Sequence, residues 1–498
     1  MKKPNRFLSL FLAPLLLSAP FANAAEKPLR QTQDRPNVLF ISIDDLNDWI
    51  GCMGGHPQVK TPHLDRLAKR GTLFLNAHCQ SPLCNPSRTS VMLGLRPSTT
   101  GVYSLQPAFR TIPKYQDYVT LPKAFAANGY ATSTCGKMYH KDAGKDEFET
   151  VGRPQARPKG RPKKRFVDPQ VSRLDWGPWP PKDSDQRDFQ NAGWAVDQLK
   201  NMSGEKPFFM AVGFSKPHVP LYASQKWFDL YPVESIILPP TRKDDRADTP
   251  RFSWNIHWKL PEPRLKAVDA GGEWKNKVRA YLACISFMDA QIGRLLDALD
   301  AGGLTDNTIV VCWSDHGYHL GEKEITGKNT LWDPSTRVPL IFAGPGIAQG
   351  AKCERPTELL DIYPTLAELC QLQSVPAELE GLSLVPLLKN AKSPRSRPAI
   401  TSHGPGNDTV RTETHRYIRY ADGSEELYDM KKDPEEFTNL ASRPGTKSLK
   451  QELASFLPKK PAKPVPGSNA RLVELKEDGF VYWQNERIEK GAKIPEYE

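Results

Sequence analysis

The chain has 498 residues, 39% hydrophobic and 25% charged, with a formal net charge of +11. That length exceeds one ordinary core, so one large domain and a smaller one are expected, and the balance is that of a soluble globular protein. Eight cysteines lie scattered without a C-x-x-C pair, which argues against a zinc site and against a dense disulfide framework.

The N-terminus reads as a secretion signal over residues 1–24. Lys2, Lys3 and Arg6 form its basic start, Phe7 to Leu17 its apolar run, and Ala22-Asn23-Ala24 its small-residue cleavage site. The run is too short for a spanning helix and no second candidate follows, so no membrane span is expected. The mature chain is expected to start near Ala25 and to be exported to the periplasm or the medium, where nucleic acid is no partner. Much of the excess charge sits in Arg153 to Arg165 and at Lys459, Lys460 and Lys463. An exported basic protein suits a polyanion such as a sulfated glycan, although each stretch taken singly reads first as a solvated loop.

Val38-Leu39-Phe40-Ile41-Ser42-Ile43 is a continuous apolar run typical of a strand buried on both faces, and it ends in Asp44-Asp45. Thr61-Pro62 opens a helix through Leu64, Leu67 and Ala68, with proline in the first turn. Cys84-Asn85-Pro86-Ser87-Arg88 suits a turn entering a helix, carried on by Val91 to Leu95. Tyr130 to Cys135, Phe208 to Phe214 and Thr308 to Trp313 read as further strands. They are followed by Gly136-Lys137, Lys216-Pro217-His218 and Asp315-His316-Gly317. Helical stretches lie between, notably Lys277 to Leu299. This alternation predicts an α/β fold, a large mostly parallel sheet sandwiched by helices. Residues 151–190 are low in apolar content and read as a surface excursion. A catalytic domain over 25–390 gives way to a C-terminal α+β subdomain over 391–498. There, His415 to Tyr420 and Glu426 to Tyr428 predict an antiparallel sheet, and Lys459 to Pro466 a linker.

Polar motifs therefore recur just past strand ends, where open α/β sheets form ligand sites. Asp44 and Asp45 end a buried strand, and paired carboxylates there are costly without a compensating cation. Asp315 with His316 forms a second acidic strand end, and such hard ligands suit calcium or magnesium. The alternative, a helix cap at Asp44-Asp45, leaves Asp315 unexplained. Lys137 and His140 are three apart and share a face if their segment is helical. His218 and Lys328 read alone as a structural histidine and a surface lysine. Arg88 lies close enough to Cys84 to hold an anion.

Taken together these motifs resemble, in order, those of the type I sulfatases of the alkaline-phosphatase superfamily, and within them the iduronate-2-sulfatase subgroup. The resemblance runs from about Pro36 to Leu388: Asn37 to Asp45, Leu83 to Gly94 with Arg96-Pro97, Gly136-Lys137 with His140, Lys216-Pro217-His218, Ser314 to Gly317 and Glu358 to Leu369. Weaker echoes follow at Glu426 to Asp429 and Asp433-Pro434. It implies that Cys84, in C-x-P-S-R, is oxidised to formylglycine by a formylglycine-generating or radical maturation enzyme. It further implies one calcium ion held by Asp44, Asp45, Cys84, Asp315 and His316. Arg88 and Lys137 would hold the diol and the sulfate, His218 with Lys328 would protonate the departing oxygen, and His140 would take the remaining hydroxyl proton. The implied substrate is a sulfated oligosaccharide or polysaccharide, attacked at a terminal 2-O-sulfated uronic acid or a similar sugar. Phosphatases, phosphodiesterases and phosphonate monoester hydrolases of the same superfamily are the alternative, and a glycan-binding protein with a decayed site is a third reading.

Overall fold

In β1 (Asn37–Ile43) every residue is buried, and successive side chains feed opposite cores. Leu39, Ile41 and Ile43 join one hydrophobic cluster and Val38 and Phe40 the other, which is why the run is apolar throughout rather than alternating. The computed structural model describes Met1 and residues 35–140, 146–152, 162–202 and 204–495. The expected signal over 1–24 and most of the basic stretch, residues 153–161, lie outside them. Arg35–Glu498 form a single compact unit.

The central sheet contains β1, β2 (Gly71–Phe74), β3 (Ala131–Gly136), β4 (Thr150–Val151), β5 (Phe208–Phe214), β6 (Thr308–Ser314), β7 (Leu340–Ala343) and β8 (Ala351–Cys353). Their order is β8-β2-β7-β6-β1-β5-β3-β4. Neighbours run parallel except at β7, which is antiparallel to both β2 and β6. Helices cover both faces. On the Leu39 side lie α1 (Pro62–Lys69), with Leu64 and Leu67 inward, α4 (Arg187–Lys200) and the long α5 (Trp274–Ala301). On the Phe40 side lie α2 (Cys84–Leu93), α3 (Leu121–Ala127) and α6 (Ile362–Leu369). This is the expected sandwich.

Beyond it, β9 (Ala399–Ser402), β10 (Asp408–Arg411), β11 (His415–Arg419) and β12 (Glu425–Asp429) pair antiparallel in sequence order. A second antiparallel sheet, β13 (Val473–Leu475), β14 (Val481–Trp483) and β15 (Glu486–Ile488), follows. Val473, Trp483 and Ile488 share a hydrophobic cluster with Ile418 and Tyr428 of the first small sheet, and with Trp258, Ile325, Leu331 and Trp332 of the large one's loops. Among the described residues no helix is long and apolar enough to cross a membrane.

One expectation fails. The stretch over 151–190 is not merely a surface excursion: Val167 and Trp176 are buried in the main core, and Trp176–Pro178 pairs in parallel with Leu221–Ala223. Few apolar residues stand there, but they are large and packed against α5, so the mean composition hides their contribution.

Candidate active site

β1 and β6 pair with Ile43 opposite Ser314, so Asp44 and Asp315 leave the sheet side by side. Asp45 adopts φ 63, a left-handed conformation that aspartate tolerates better than most residues, and its N–H donates to Asp315 Oδ1 at 3.2 Å. All three carboxylates are buried. The thiol of Cys84, in the first turn of α2, points into this acidic group. Its Sγ lies 3.5 Å from Asp44 Oδ1 and 3.2 Å from His316 Nε2.

One helical turn on, Arg88 shares the face of Cys84. Its Nε donates to Asp315 Oδ2 at 2.8 Å, while Nη1 donates to the Lys137 carbonyl and to Ser42 Oγ. Ser87 Oγ donates to the Asp315 carbonyl. Lys137 follows β3 and donates through Nζ to Asp44, with Cys84 Sγ 3.8 Å away. A close approach of backbones sets that position. A Cβ on Gly213, at the end of β5, would lie 2.3–2.4 Å from the Lys137 backbone, so only glycine fits there. Lys328 Nζ, also buried, reaches Asp45 Oδ1 at 2.6 Å and Cys84 Sγ at 3.2 Å.

His316 donates from Nδ1 to the Gly317 carbonyl at 3.0 Å, which turns Nε2 towards the carboxylates. His218 likewise donates from Nδ1 to the Val219 carbonyl at 2.6 Å, leaving Nε2 3.9 Å from Asp45 Oδ2. His140 departs from expectation. Residues 138–140 form a bend, not a helix, so the shared face with Lys137 is lost. His140 instead lines an adjoining cavity of about 450 Å³ with Asn85, Phe109, Arg110, Lys123 and Glu147, and neither ring nitrogen has a hydrogen-bond partner.

Charge is the dominant property of the cluster. Burial raises the Cys84 thiol, but Lys137 and Lys328 outweigh it and hold the group well below an ordinary thiol. For Asp44, burial is likewise overcome by Lys137, His218, Arg88 and Lys328, and its carboxyl is held well down. Lys328, opposed by burial, is pushed up by Asp45 and remains protonated. Burial lowers His218, against the pull of Asp45 and Asp44. Asp315 is pushed up by burial, which Arg88 offsets only in part. Two overlapping groups, Asp44–Cys84–Asp315–His316 and Asp44–Asp45–Cys84–His218, each hold their donor atoms within 4.8 Å of one another. Asp45 Oδ2 is buried without a hydrogen-bond partner. An unpartnered carboxylate oxygen beside further buried carboxylates can take a cation, and the oxygen donors of the set suit a hard one. The structure thus brings together every expected site residue except His140. It adds Ser42, which no motif singled out, and it shows that the chain around Lys137 is set by Gly213, 76 positions further along in sequence.

A mostly parallel sheet with an acidic strand-end cluster, and a cysteine at the start of a helix facing it, define a hydrolase of the alkaline-phosphatase superfamily. The Sulfatase family model matches residues 36–372, and one described as N-sulphoglucosamine sulphohydrolase, C-terminal, matches residues 321–463. The chain belongs to the sulfatase family and is a sulfuric ester hydrolase of type I. It is 42% identical to a sulfatase of Formosa agariphila, over 87% of this chain and 88% of that protein. It is 31% identical to the iduronate 2-sulfatase of Homo sapiens, over 74% of each chain. A solved 2-O GAG sulfatase superposes with a TM-score of 0.64 at 26% identity, over 85% of this chain and 91% of the other.

Proposed function

We propose that the protein is exported and removes sulfate esters from a sulfated carbohydrate, acting on a terminal 2-O-sulfated uronic acid or a closely related sugar. The observation that carries this reading is Cys84 Sγ, buried and within 3.8 Å of Lys137, Lys328, His316 and Asp44. The iduronate and 2-O GAG enzymes among its relatives support the choice of sugar.

Oxidised to formylglycine by a maturation enzyme and hydrated, residue 84 would offer one hydroxyl to attack sulfur and a second to expel sulfate, which no encoded side chain does. Asp44, Asp45, Asp315 and His316 would hold one calcium ion, which supplies charge compensation for the sulfate. Arg88 orients the metal-side carboxylates through Asp315, and Lys137 faces the position of the sulfate. Lys328, held protonated, and His218 on the opposite side of Asp45 face the departing oxygen. Both stand within reach of Asp45, so His218, together with Lys328, would protonate the departing oxygen. His140, in the adjoining cavity, would have to swing inward to accept the remaining hydroxyl proton. Cations surround the transferring group before the reaction begins, as electrostatic preorganisation requires.

Sulfate release measured by ion chromatography, from protein co-expressed with a maturation enzyme, tests the reading. The panel holds 2-O-sulfated uronides, 6-O-sulfated hexosamines and matched phosphate esters, with Cys84→Ala as blank. Release from the uronides alone is the expected result. Release from another sugar would discard the uronate, and a preference for phosphate esters would overturn the reaction itself.

A further inference from the structure

Lys328 is a buried cation at the nucleophile, yet its own turn is irregular. Gly327 has φ +147 and packs so closely on Glu262 that a Cβ there would lie 2.9 Å from the Glu262 Cβ. Asn329 has φ 73, a left-handed conformation uncommon outside glycine. A turn of this kind persists only where its surroundings over-determine it.

What surrounds it comes from the far end of the chain. Arg471 Nη1 donates to Asn329 Oδ1 at 2.9 Å, and Nη2 donates to both oxygens of Glu262 at 3.1 and 3.2 Å. Glu262 is buried, and the Arg471 side chain is only 13% exposed. One guanidinium therefore ties together the two residues that bracket Lys328, one through its side-chain amide and one through its packing on Gly327. Arg471 is itself fixed. Ala470 and Arg471 both have positive φ, the Ala470 carbonyl accepts from Leu105 N–H, and Asn469 bridges Gln106. Directly after it, β13 to β15 bury Val473, Trp483 and Ile488 against Ile325, Leu331 and Trp332, which flank the same turn. Residues 464–495 lie beyond the stretches matched by either family model, so the family does not assign this element.

We propose that Arg471 is a positioning residue: the C-terminal segment clamps the 326–330 turn and holds Lys328 against Asp45 and the nucleophile. Its guanidinium is hydrogen-bonded to Glu262 and Asn329, and it acts through Lys328. The kinetic arm rests on the sulfatase reading above; the exchange arm does not.

Arg471→Ala, Lys328→Ala and the double variant are compared on a sugar sulfate and on an aryl sulfate with an activated leaving group. Arg471→Ala is expected to lower kcat on the sugar sulfate by about tenfold with KM nearly unchanged, and to affect the aryl sulfate little, because Lys328 serves the departing oxygen. In the Lys328→Ala background the same change should cost nothing further. An additive loss, or a rise in KM alone, would overturn the proposal. Hydrogen exchange over residues 326–330 should quicken in Arg471→Ala, whether or not any sulfate ester is turned over; unchanged exchange there would equally overturn it. Should Arg471→Ala fail to fold, Glu262→Gln releases the guanidinium from the other side and is read in the same two ways.

Discussion

Asp44 and Asp315 stand in the same cluster but bear on different cations. Asp44 takes the ammonium of Lys137 and faces Arg88 at 3.7 Å, whereas Asp315 takes the Nε of Arg88 at 2.8 Å. Replacing either by asparagine keeps the shape and removes the charge, leaving a buried cation without its counter-ion, a loss of roughly 3–5 kcal/mol where a buried pair is broken. Asp44→Asn or Asp315→Asn is therefore expected to abolish sulfate release and to weaken calcium binding at least about tenfold. Calorimetric titration with calcium reads the second effect directly, and unchanged affinity in both variants would show that these carboxylates do not hold the ion. Asp45 behaves differently: one of its oxygens accepts from Lys328, and the other has no hydrogen bond and faces His218 Nε2 at 3.9 Å.

At the scale of elements, the site depends on strands meeting at close quarters. Gly213 on β5 lets the backbone at Lys137 lie against the sheet, and Gly213→Ala would drive a methyl into it at 2.3–2.4 Å. Overpacking of this kind costs about 1–3 kcal/mol. We expect the melting temperature to fall by several degrees and activity to fall further than stability explains, since Lys137 moves off Asp44; an alanine variant with full activity would contradict this. On α5, Lys277 is wholly buried, its Nζ has no hydrogen-bond partner, and it lies 4.8 Å over Trp176 and 5.7 Å over Tyr318. Burial pushes it down to about 7, with Glu262 partly opposing. The unfolded lysine keeps its proton to about 10.5 and the folded one loses it near 7, so the unfolded state binds more protons in between and stability rises with pH across that window. Lys277→Met should raise the melting temperature most at the acid end of the window and flatten the slope. Melts at about pH 6, 8 and 10 read both effects, and a slope unchanged by the substitution would rule the lysine out as its source.

These elements also show where the chain could be read directly. Asp44 and Asp315 were legible because a buried strand writes itself as an unbroken apolar run and a charge at its end stands out. Cys84 and Arg88 were legible because the helix brings them together over four residues. A shared face for Lys137 and His140 required a helix, whereas the chain bends at 138–140 and Lys137 packs on Gly213, a contact between residues far apart in sequence. Arg471 carried no local signal. It lies in a polar stretch without periodicity, and its partners Glu262 and Asn329 are remote along the chain.

For the whole molecule, part of the formal charge of +11 bears on the substrate, because three of its lysines can be placed. Lys459, Lys460 and Lys463 are exposed on a segment without regular structure, as a linker reading anticipated, but the segment does not hang free. Ala462 N–H donates to the Ser98 carbonyl at 2.7 Å, Val465 N–H to the Gly101 carbonyl at 3.1 Å, and Tyr103 Oη to the Ala462 carbonyl at 3.0 Å. The next residue, Ser104, accepts from Asn85, the neighbour of the nucleophile. Three lysines are thus anchored to the loop that borders the site. A small ester would occupy the site alone, whereas a longer polyanion reaching past it would be expected to enter the field of these lysines. Exposed charges act over about 8 Å at physiological salt, so their contribution is screened as salt rises. KM for a sulfated oligosaccharide should therefore climb with ionic strength while KM for an aryl sulfate stays nearly level. The combined Lys459→Glu, Lys460→Glu and Lys463→Glu variant should raise the oligosaccharide KM severalfold and remove most of its salt dependence. Equal changes for both substrates would place the effect at the buried cluster of Arg88, Lys137 and Lys328, and not at the rim.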